Sequence, residues 1–479
     1  MRHTGVCLNP DLVLIMKNVK SFLGEGLYKK YTEIIPILTL IIYRMGFYWE
    51  GIHEYERDFM VPYERNNSLK HLAKSVMASG VEAMAYRNGH DRILVSDTLL
   101  CLDRCEDLLC DMMSKHAVVS YLKTGDYWRS NRNLKGIQGK RWETRTIYVG
   151  DSVPEKDVEK SVRNIRLFFD SLIEKGLNCT DSQKEAERLF SMLKKHAGKR
   201  IDFLYKKLKK NRVTQFITIN QYNLRDVLTV MACRKAGIVT KELSHYSYCI
   251  TPVDQSKRST YYEGKLFFTD EGCVWNISEK KWYEKYVSVN ENIFGDSIRI
   301  SCVGCPEITR DHFNKLVSKI HKQNSLIYFV PSVEYIDGDY QTSMDIRKDY
   351  FKEVYVLSER LGVKVYVRYH PCEPQDNINR EKDLLSDYNF IVCPPGREKL
   401  NEFLCESKIA ITCKSSVAII AHLFGCKVYN IIFGDEQYDY MGMDFENIKL
   451  GDIESIELPE SIHFYPEECI YAELLVDPS

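Results

Sequence analysis

The chain has 479 residues, about three times the usual domain length, so two or three domains are expected and a single small binding module is excluded. With 44% hydrophobic residues, 28% charged residues and a formal net charge of -1, the composition supports packed cores. It excludes an intrinsically disordered chain and a general nucleic-acid binder.

The N-terminal region favours helices up to about residue 80, because charged residues alternate with aromatic and aliphatic ones. Residues 1–10 lack the features of a secretory signal peptide. The apolar run 34–43 is about half of a bilayer span, which favours a buried helix. We therefore expect a cytoplasmic protein, with peripheral contact at the inner membrane face left open.

Strand-like runs then appear on both sides of a long helical region. Helical periodicity covers 155–212, and Gly237 stands where a helix over 225–235 would end. The predicted strands of this half are 92–102, 146–149, 216–220, 238–243, 265–270 and 298–303.

After a helical linker over 309–322, strands and helices alternate again. Strands are predicted at 326–330, 363–369, 390–393, 409–413 and 427–432, and helices at 343–361, 397–407 and 416–424. Strict alternation predicts an α/β fold with two Rossmann-like, doubly wound domains facing a cleft, preceded by extra N-terminal helices. The predicted domains are 1–305 and 306–479.

Ligands of open α/β sheets bind beyond the carboxyl ends of the strands, which makes the residues after each predicted strand informative. Lys414, Ser415 and Ser416 follow one strand and open a helix, as in a phosphate site, although this pattern is equally typical of a plain helix cap. His370, held extended by Pro371, could donate to a phosphate oxygen.

Metal sites are not favoured by the sequence. Asp337 and Asp339 form a D-x-D pattern, but after a strand it is more simply a turn, and Glu334 in the same loop is a candidate base. The sixteen cysteines include close groups, but neither group has a second set of ligands nearby, so structural thiols in a reducing compartment are expected. These groups are Cys302 with Cys305, and Cys101, Cys105 and Cys110.

A basic run between residues 194 and 212 is the strongest local charge excess. Such a run is typical of a solvated helix face, and it could also attract an anionic glycan or the membrane surface.

Three short motifs follow one another along the chain: Asp270-Glu271-Gly272, then His370-Pro371, then Ser415-Ser416. This order resembles bacterial sialyltransferases and polysialyltransferases, which are GT-B glycosyltransferases of capsule and lipopolysaccharide synthesis. The resemblance implies that Asp270 or Glu271 takes the proton of the acceptor hydroxyl. It also implies that His370 and the two serines, next to Lys414, hold the nucleotide phosphate. Glu373 could bind a ribose hydroxyl, and an ordinary acidic turn is the alternative for 270–272.

A second resemblance concerns residues 232–245, which are similar to a segment of Kdo-transferase-like capsule enzymes. Those enzymes read Glu-Leu-Gln-His-Gly at its end, where this chain has Glu242-Leu243-Ser244-His245-Tyr246.

Together the two resemblances imply a glycosyltransferase that moves a sugar from a nucleotide donor to a glycan or glycolipid acceptor. The resemblance implies a CMP-activated sialic acid or Kdo-type sugar, with the nucleotide-sugar as substrate and no further cofactor or metal. Two alternatives stay open: a nucleotide-sugar epimerase of the same fold, and a non-catalytic scaffold that retains it.

Overall fold

The computed structural model of the chain describes part of its length. The described ranges are 92–96, 118–123, 140–143, 212–219, 224–244, 251–252, 268–275, 277–286, 296–305, 314–316, 318–331, 340–370, 373–394, 397–413, 415–432, 438–440 and 445–460, with separate positions between 163 and 209. The predicted N-terminal helices and the predicted strand 146–149 lie outside them.

Strands of the first half are numbered in chain order. They are β1 (Arg92–Val95), β2 (Val118–Lys123), β3 (Lys140–Glu143), β4 (Val213–Thr218), β5 (Val239–Leu243), β6 (Thr251–Pro252), β7 (Glu271–Val274) and β8 (Arg299–Cys302). Seven of them form a sheet in the order β3-β2-β1-β4-β5-β7-β8, and every neighbouring pair is parallel.

Two helices of this half have defined bounds, α1 (Leu224–Ala236) and α2 (Ile277–Tyr286). Gly237 ends α1 with a φ of 70°, a left-handed conformation that favours glycine, so the predicted helix end is confirmed. The described positions between 163 and 209 are mostly helical, as the periodicity predicted, and Phe169, Leu204 and Leu208 among them are buried.

The second half repeats the pattern of the first. Its strands are β9 (Ser325–Phe329), β10 (Lys364–Arg368), β11 (Ile391–Val392), β12 (Ile409–Thr412), β13 (Lys427–Ile431), β14 (Tyr438–Asp439) and β15 (Glu446–Ile448). Its helices are α3 (Tyr340–Leu361), α4 (Gln375–Asp387), α5 (Arg397–Glu406) and α6 (Val417–Leu423). The six-stranded parallel sheet has the order β11-β10-β9-β12-β13-β15.

In both sheets the chain first forms a central strand and adds the next two strands on one side of it. It then returns to the centre and adds the remaining strands on the other side. This is the strand order of Rossmann-like, doubly wound domains, and two of them in tandem give a GT-B-like α/β fold. The predicted fold class is therefore confirmed by the topology. The predicted boundary at 305/306 falls between β8 and β9, the last and first strands of the two sheets.

Alternating side chains place a hydrophobic core on each face of the second sheet. Leu326 and Tyr328 of β9 belong to one core, with α3 and α4, and Ile327 and Phe329 belong to the other, with α5 and α6. A parallel sheet covered on both faces needs apolar residues at nearly every position, which explains why these strands were easy to predict from sequence.

Contacts also join the two halves of the chain. β6 pairs with β14 in an antiparallel ribbon, and Trp275 and Cys305 belong to the same hydrophobic cluster as α5 and α6. Trp275 directly follows β7, so the carboxyl end of that strand contacts the second domain.

Helix α4 was not predicted. Its sequence is strongly polar, and the residues it buries include Asn377 and Glu381 beside Leu385. Only three of its thirteen residues are apolar, Ile378, Leu384 and Leu385, so the segment has few of the apolar residues from which an amphipathic helix is predicted.

Candidate functional site

The carboxyl edge of the second sheet brings together residues that are far apart in sequence. His370 lies two residues after β10, and Ser415 lies three residues after β12. β9 lies between these two strands and pairs with both. Neighbouring strands are spaced by about 4.8 Å, so β10 and β12 lie about 10 Å apart. The strands that carry the two motifs therefore end at the same edge of the sheet.

Ser415 and Ser416 open helix α6 as the sequence predicted. Their carbonyl oxygens accept hydrogen bonds from Ala418 N at 3.1 Å and Ile419 N at 3.0 Å. Ser416 makes no side-chain capping bond, and Val417 N approaches Ser415 Oγ only at a long 3.4 Å. The two serine side chains therefore make at most a weak helix cap, which does not favour the alternative that they only cap α6. Lys414 lies outside the described residues.

His370 is exposed at the end of β10. Its carbonyl oxygen accepts a hydrogen bond from Glu373 N at 2.9 Å, which closes a tight turn over residues 370–373. Pro371 lies outside the described residues. The turn places the imidazole-bearing residue at the edge where ligands of this fold bind.

Glu373 does not suit the predicted ribose contact. Its side chain is only 1% exposed and accepts hydrogen bonds from Arg347 Nη1 at 2.6 Å and Asn377 Nδ2 at 2.9 Å. A carboxylate held this way is directed into the protein. We therefore correct the assignment: Glu373 belongs to the support of the turn.

That support includes a second buried carboxylate. Glu381 Oε2 accepts hydrogen bonds from Arg347 Nη2 at 2.7 Å and from the Tyr369 hydroxyl at 2.8 Å. Burial raises the pKa of the Glu381 carboxyl, and the net direction stays upward although the charge of Arg347 lowers it. Sequence reasoning missed Arg347 and Glu381, since each sits within a polar stretch of its helix.

Asp270 and Glu271 lie at the opposite edge of the first sheet from the one predicted. The strand was expected to end at Asp270, but β7 begins at Glu271 and runs to Val274. Residues 268–270 precede it without strand structure. Because the sheet is parallel, the start of β7 lies at the amino edge, a strand length away from the carboxyl ends where ligands bind.

The contacts of Asp270 are those of a structural residue. Its carboxylate accepts hydrogen bonds from Arg234 Nη1 at 3.1 Å, from Thr240 N at 2.8 Å and from Thr240 Oγ1 at 2.7 Å. These bonds tie the end of α1 and the start of β5 to β7. The acidic-turn alternative fits Asp270 better than the role of a base.

Glu271 forms a cross-strand ion cluster. It is paired in register with Lys241 of β5 and Arg299 of β8, at 3.4 Å and 2.5 Å between charged atoms. Burial raises the pKa of the Glu271 carboxyl, but hydrogen bonds from Ser301 and Arg299 and the charge of Lys241 lower it, and the net direction is downward. A carboxylate stabilised in its charged form is a poor proton acceptor. The sequence predicted that the acidic motif follows a strand over 265–270, whereas the strand begins within the motif, at Glu271.

The carboxyl edge of the first sheet carries a different carboxylate. Glu279, fully buried in the first turn of α2, accepts hydrogen bonds from Trp275 N at 2.6 Å and from the Ser244 hydroxyl. Trp275 Nε1 donates to Ser244 O at 3.0 Å, which links the ends of β5 and β7. Ser244 belongs to the segment 232–245 that the sequence analysis singled out, whereas His245 lies outside the described residues. No sequence pattern singled out Glu279.

One of the two cysteine groups lies in the described ranges. In the described ranges, Cys302 is exposed, Cys305 is buried, and neither forms a disulfide. Within those same ranges no group of three or more His, Cys, Asp or Glu residues could hold a metal ion. Asp337, Asp339, Glu334 and the group from Cys101 to Cys110 lie outside them.

Membrane contact was left open by the sequence. None of the helices that the structure describes is long and apolar enough to cross a bilayer.

No protein-family model and no curated protein sequence matches the chain. Solved structures with a similar fold include UDP-GlcNAc 2-epimerase from Methanocaldococcus jannaschii, with 10% identity and a TM-score of 0.41 over 78% of this chain and 94% of that one. Others are the S. aureus MnaA-UDP co-structure, with 11% identity and a TM-score of 0.37 over 72% and 80% of the two chains, and Acinetobacter baumannii MurG, with 11% identity and a TM-score of 0.36 over 75% and 86%. The chain is similar to them at these values, and its fold class rests on the strand order of its own two sheets.

Proposed function

We propose that the chain is a nucleotide-sugar enzyme of the GT-B type that transfers a sugar to a glycan or glycolipid acceptor. One observation supports this most strongly. His370 and the Ser415-Ser416 pair follow the two strands that flank β9, and the strand order reverses between β9 and β12. The crevice at such a reversal is where doubly wound sheets bind nucleotides.

The residue types suit a phosphate at this edge. Serine hydroxyls and an imidazole donate hydrogen bonds to phosphate oxygens, whose negative charge grows as the bond to the sugar breaks. Donors that are already in place stabilise this charge without reorganisation. We assign the phosphate contacts to His370, Ser415 and Ser416, with no metal required.

The donor is proposed to be a CMP-activated sialic acid or Kdo-type sugar, on the basis of the motif resemblance. Two of the three motifs, His-Pro and Ser-Ser, fit this proposal by their position. The third does not, because Asp270 and Glu271 lie at the amino edge of the first sheet. The base must then come from another carboxylate, and Glu334, which follows β9 in the sequence, is the candidate that the sequence offers.

The test is a donor panel with matched variants. CMP-sialic acid, CMP-Kdo, UDP-sugars and GDP-sugars are incubated with the protein, with and without glycan acceptors, and nucleotide release and sugar products are measured. His370→Ala is compared with His321→Ala, because His321 is also exposed but precedes β9 at the amino edge.

The expected result is acceptor-dependent nucleotide release that His370→Ala reduces and His321→Ala leaves unchanged. Loss of one charge-assisted hydrogen bond costs about 1.5–3 kcal/mol, or about 10- to 150-fold in affinity. Formation of an epimerised nucleotide-sugar in the absence of an acceptor would show that the protein is an epimerase and not a transferase. Absence of nucleotide binding to the parent protein would refute the proposal.

A further inference from the structure

Arg347 of helix α3 is a fully buried guanidinium. Its side chain is 0% exposed and contacts two carboxylates that are each 1% exposed, Glu373 at 2.6 Å and Glu381 at 2.7 Å. Arginine is almost never fully buried unless it is paired, because removing its charge from water is costly. Replacing a whole buried ion cluster by apolar side chains is often neutral or stabilising, so stability alone does not account for Arg347 and its two partners.

Arg347 holds both ends of the turn that carries His370. On one side, the Tyr369 ring lies 5.6 Å from the guanidinium, and the Tyr369 hydroxyl shares Glu381 Oε2 with Arg347. On the other side, Glu373 accepts directly from Arg347 Nη1. Tyr369, immediately before His370, and Glu373, three positions after it, are thus both fixed by the rigid, planar guanidinium of Arg347.

Further contacts make the arrangement specific. Asn377 of α4 donates to the same Glu373 oxygen at 2.9 Å, and Glu373 N donates to His370 O at 2.9 Å. Helices α3 and α4 and the end of β10 therefore meet at Arg347. A lysine could not reproduce this, because its compact ammonium lacks the fork that reaches two carboxylates in fixed directions.

We propose that Arg347 is a positioning residue that sets the orientation of the His370 turn at the carboxyl edge. The inference rests on the proposed function only where it concerns nucleotide binding. The orientation of the turn can be measured without any ligand.

The experiment follows the His370 imidazole by NMR in protein with isotope-labelled histidine. The His370 signal is identified by its absence in His370→Ala. Arg347→Lys keeps the buried charge, and Glu373→Gln keeps an oxygen acceptor but loses the ion pair. Leu326→Ala is the control, because it removes a fully buried side chain near the start of β9, at the opposite edge. CMP and UDP affinities of the same proteins are measured by calorimetry.

In Arg347→Lys and Glu373→Gln, we expect the His370 signal to shift or broaden while the signals of other histidines stay in place. Leu326→Ala should lower the melting temperature without moving that signal. Nucleotide affinity should fall about tenfold or more in the two turn variants only. If Arg347→Lys does not fold, Glu373→Gln decides the outcome.

An unchanged His370 signal in the folded turn variants would overturn the inference, whatever their thermal stability. If the parent protein binds neither CMP nor UDP, the proposed function fails for these nucleotides, and the NMR comparison still decides the role of Arg347. A shifted signal with unchanged nucleotide affinity in both turn variants would refute the part of the inference that concerns nucleotide binding.

Discussion

Replacing Glu271 by Gln should lower stability and leave turnover intact. The carboxylate is 5% exposed and lies between Lys241, whose side chain is 6% exposed, and Arg299, whose side chain is 63% exposed. Removing one partner of a buried ion pair costs about 3–5 kcal/mol, whereas an exposed pair contributes about 0–1 kcal/mol. The Lys241 pair therefore dominates. Because Lys241 has further interactions, we expect the lower end, about 3 kcal/mol.

The pH dependence gives a second measure of the same effect. The pKa of Glu271 is lower in the folded protein than its ordinary value. A carboxyl of this kind stabilises the fold fully above its unfolded pKa of about 4.3, and this contribution is lost as the pH falls through the folded value. The variant lacks the contribution, so the stability difference between the two proteins should shrink as the pH is lowered below about 4.3.

Urea unfolding followed by tryptophan fluorescence measures the stability, and the nucleotide-release assay measures turnover. Glu284→Gln is the matched control, because Glu284 is an exposed glutamate on α2. The control should change stability by less than about 0.5 kcal/mol. If Glu271→Gln keeps its stability but loses turnover by orders of magnitude with nucleotide binding retained, Glu271 is the base after all and the structural reasoning is refuted.

Other expected outcomes are these. Replacing Ser415 and Ser416 together by Ala should weaken nucleotide affinity without abolishing it, since backbone N–H groups remain. Calorimetry checks this, with Ser318→Ala as a control because Ser318 is an exposed serine that precedes β9. Turnover should persist in EDTA, and its loss with recovery in Mg²⁺ would restore a metal requirement. Glu353→Gln should raise the midpoint of urea unfolding at pH 7, because burial raises the pKa of that carboxyl and ionisation opposes folding. Burial lowers the pKa of His422 to about 4, so stability should fall from pH 6.5 toward 4, and His422→Leu should reduce that loss, which is at most about 3 kcal/mol.

The local chain pattern was enough to predict most strands and several helices of the second half. Its strands are covered on both faces and are therefore continuously apolar, and glycines mark the ends of its helices. Gly362, with a φ of 62°, follows the end of α3, and in the first half a φ of 70° at Gly237 confirms the predicted helix end. The polar helix α4 shows the limit, because only three of its thirteen residues are apolar.

The features of the candidate site also separate into those that sequence alone predicts and those that depend on the tertiary structure. Sequence alone determined that His370 follows a strand and that Ser415 and Ser416 open a helix, because proline and short hydroxyl residues act on their immediate neighbours. Only the tertiary structure decided that β9 pairs with both carrier strands, that Glu373 faces the buried Arg347, and that Asp270 and Glu271 precede β7. Strand order and the partners of buried charges depend on contacts between distant segments. A local pattern cannot contain them, because the same residues could start a strand or end one.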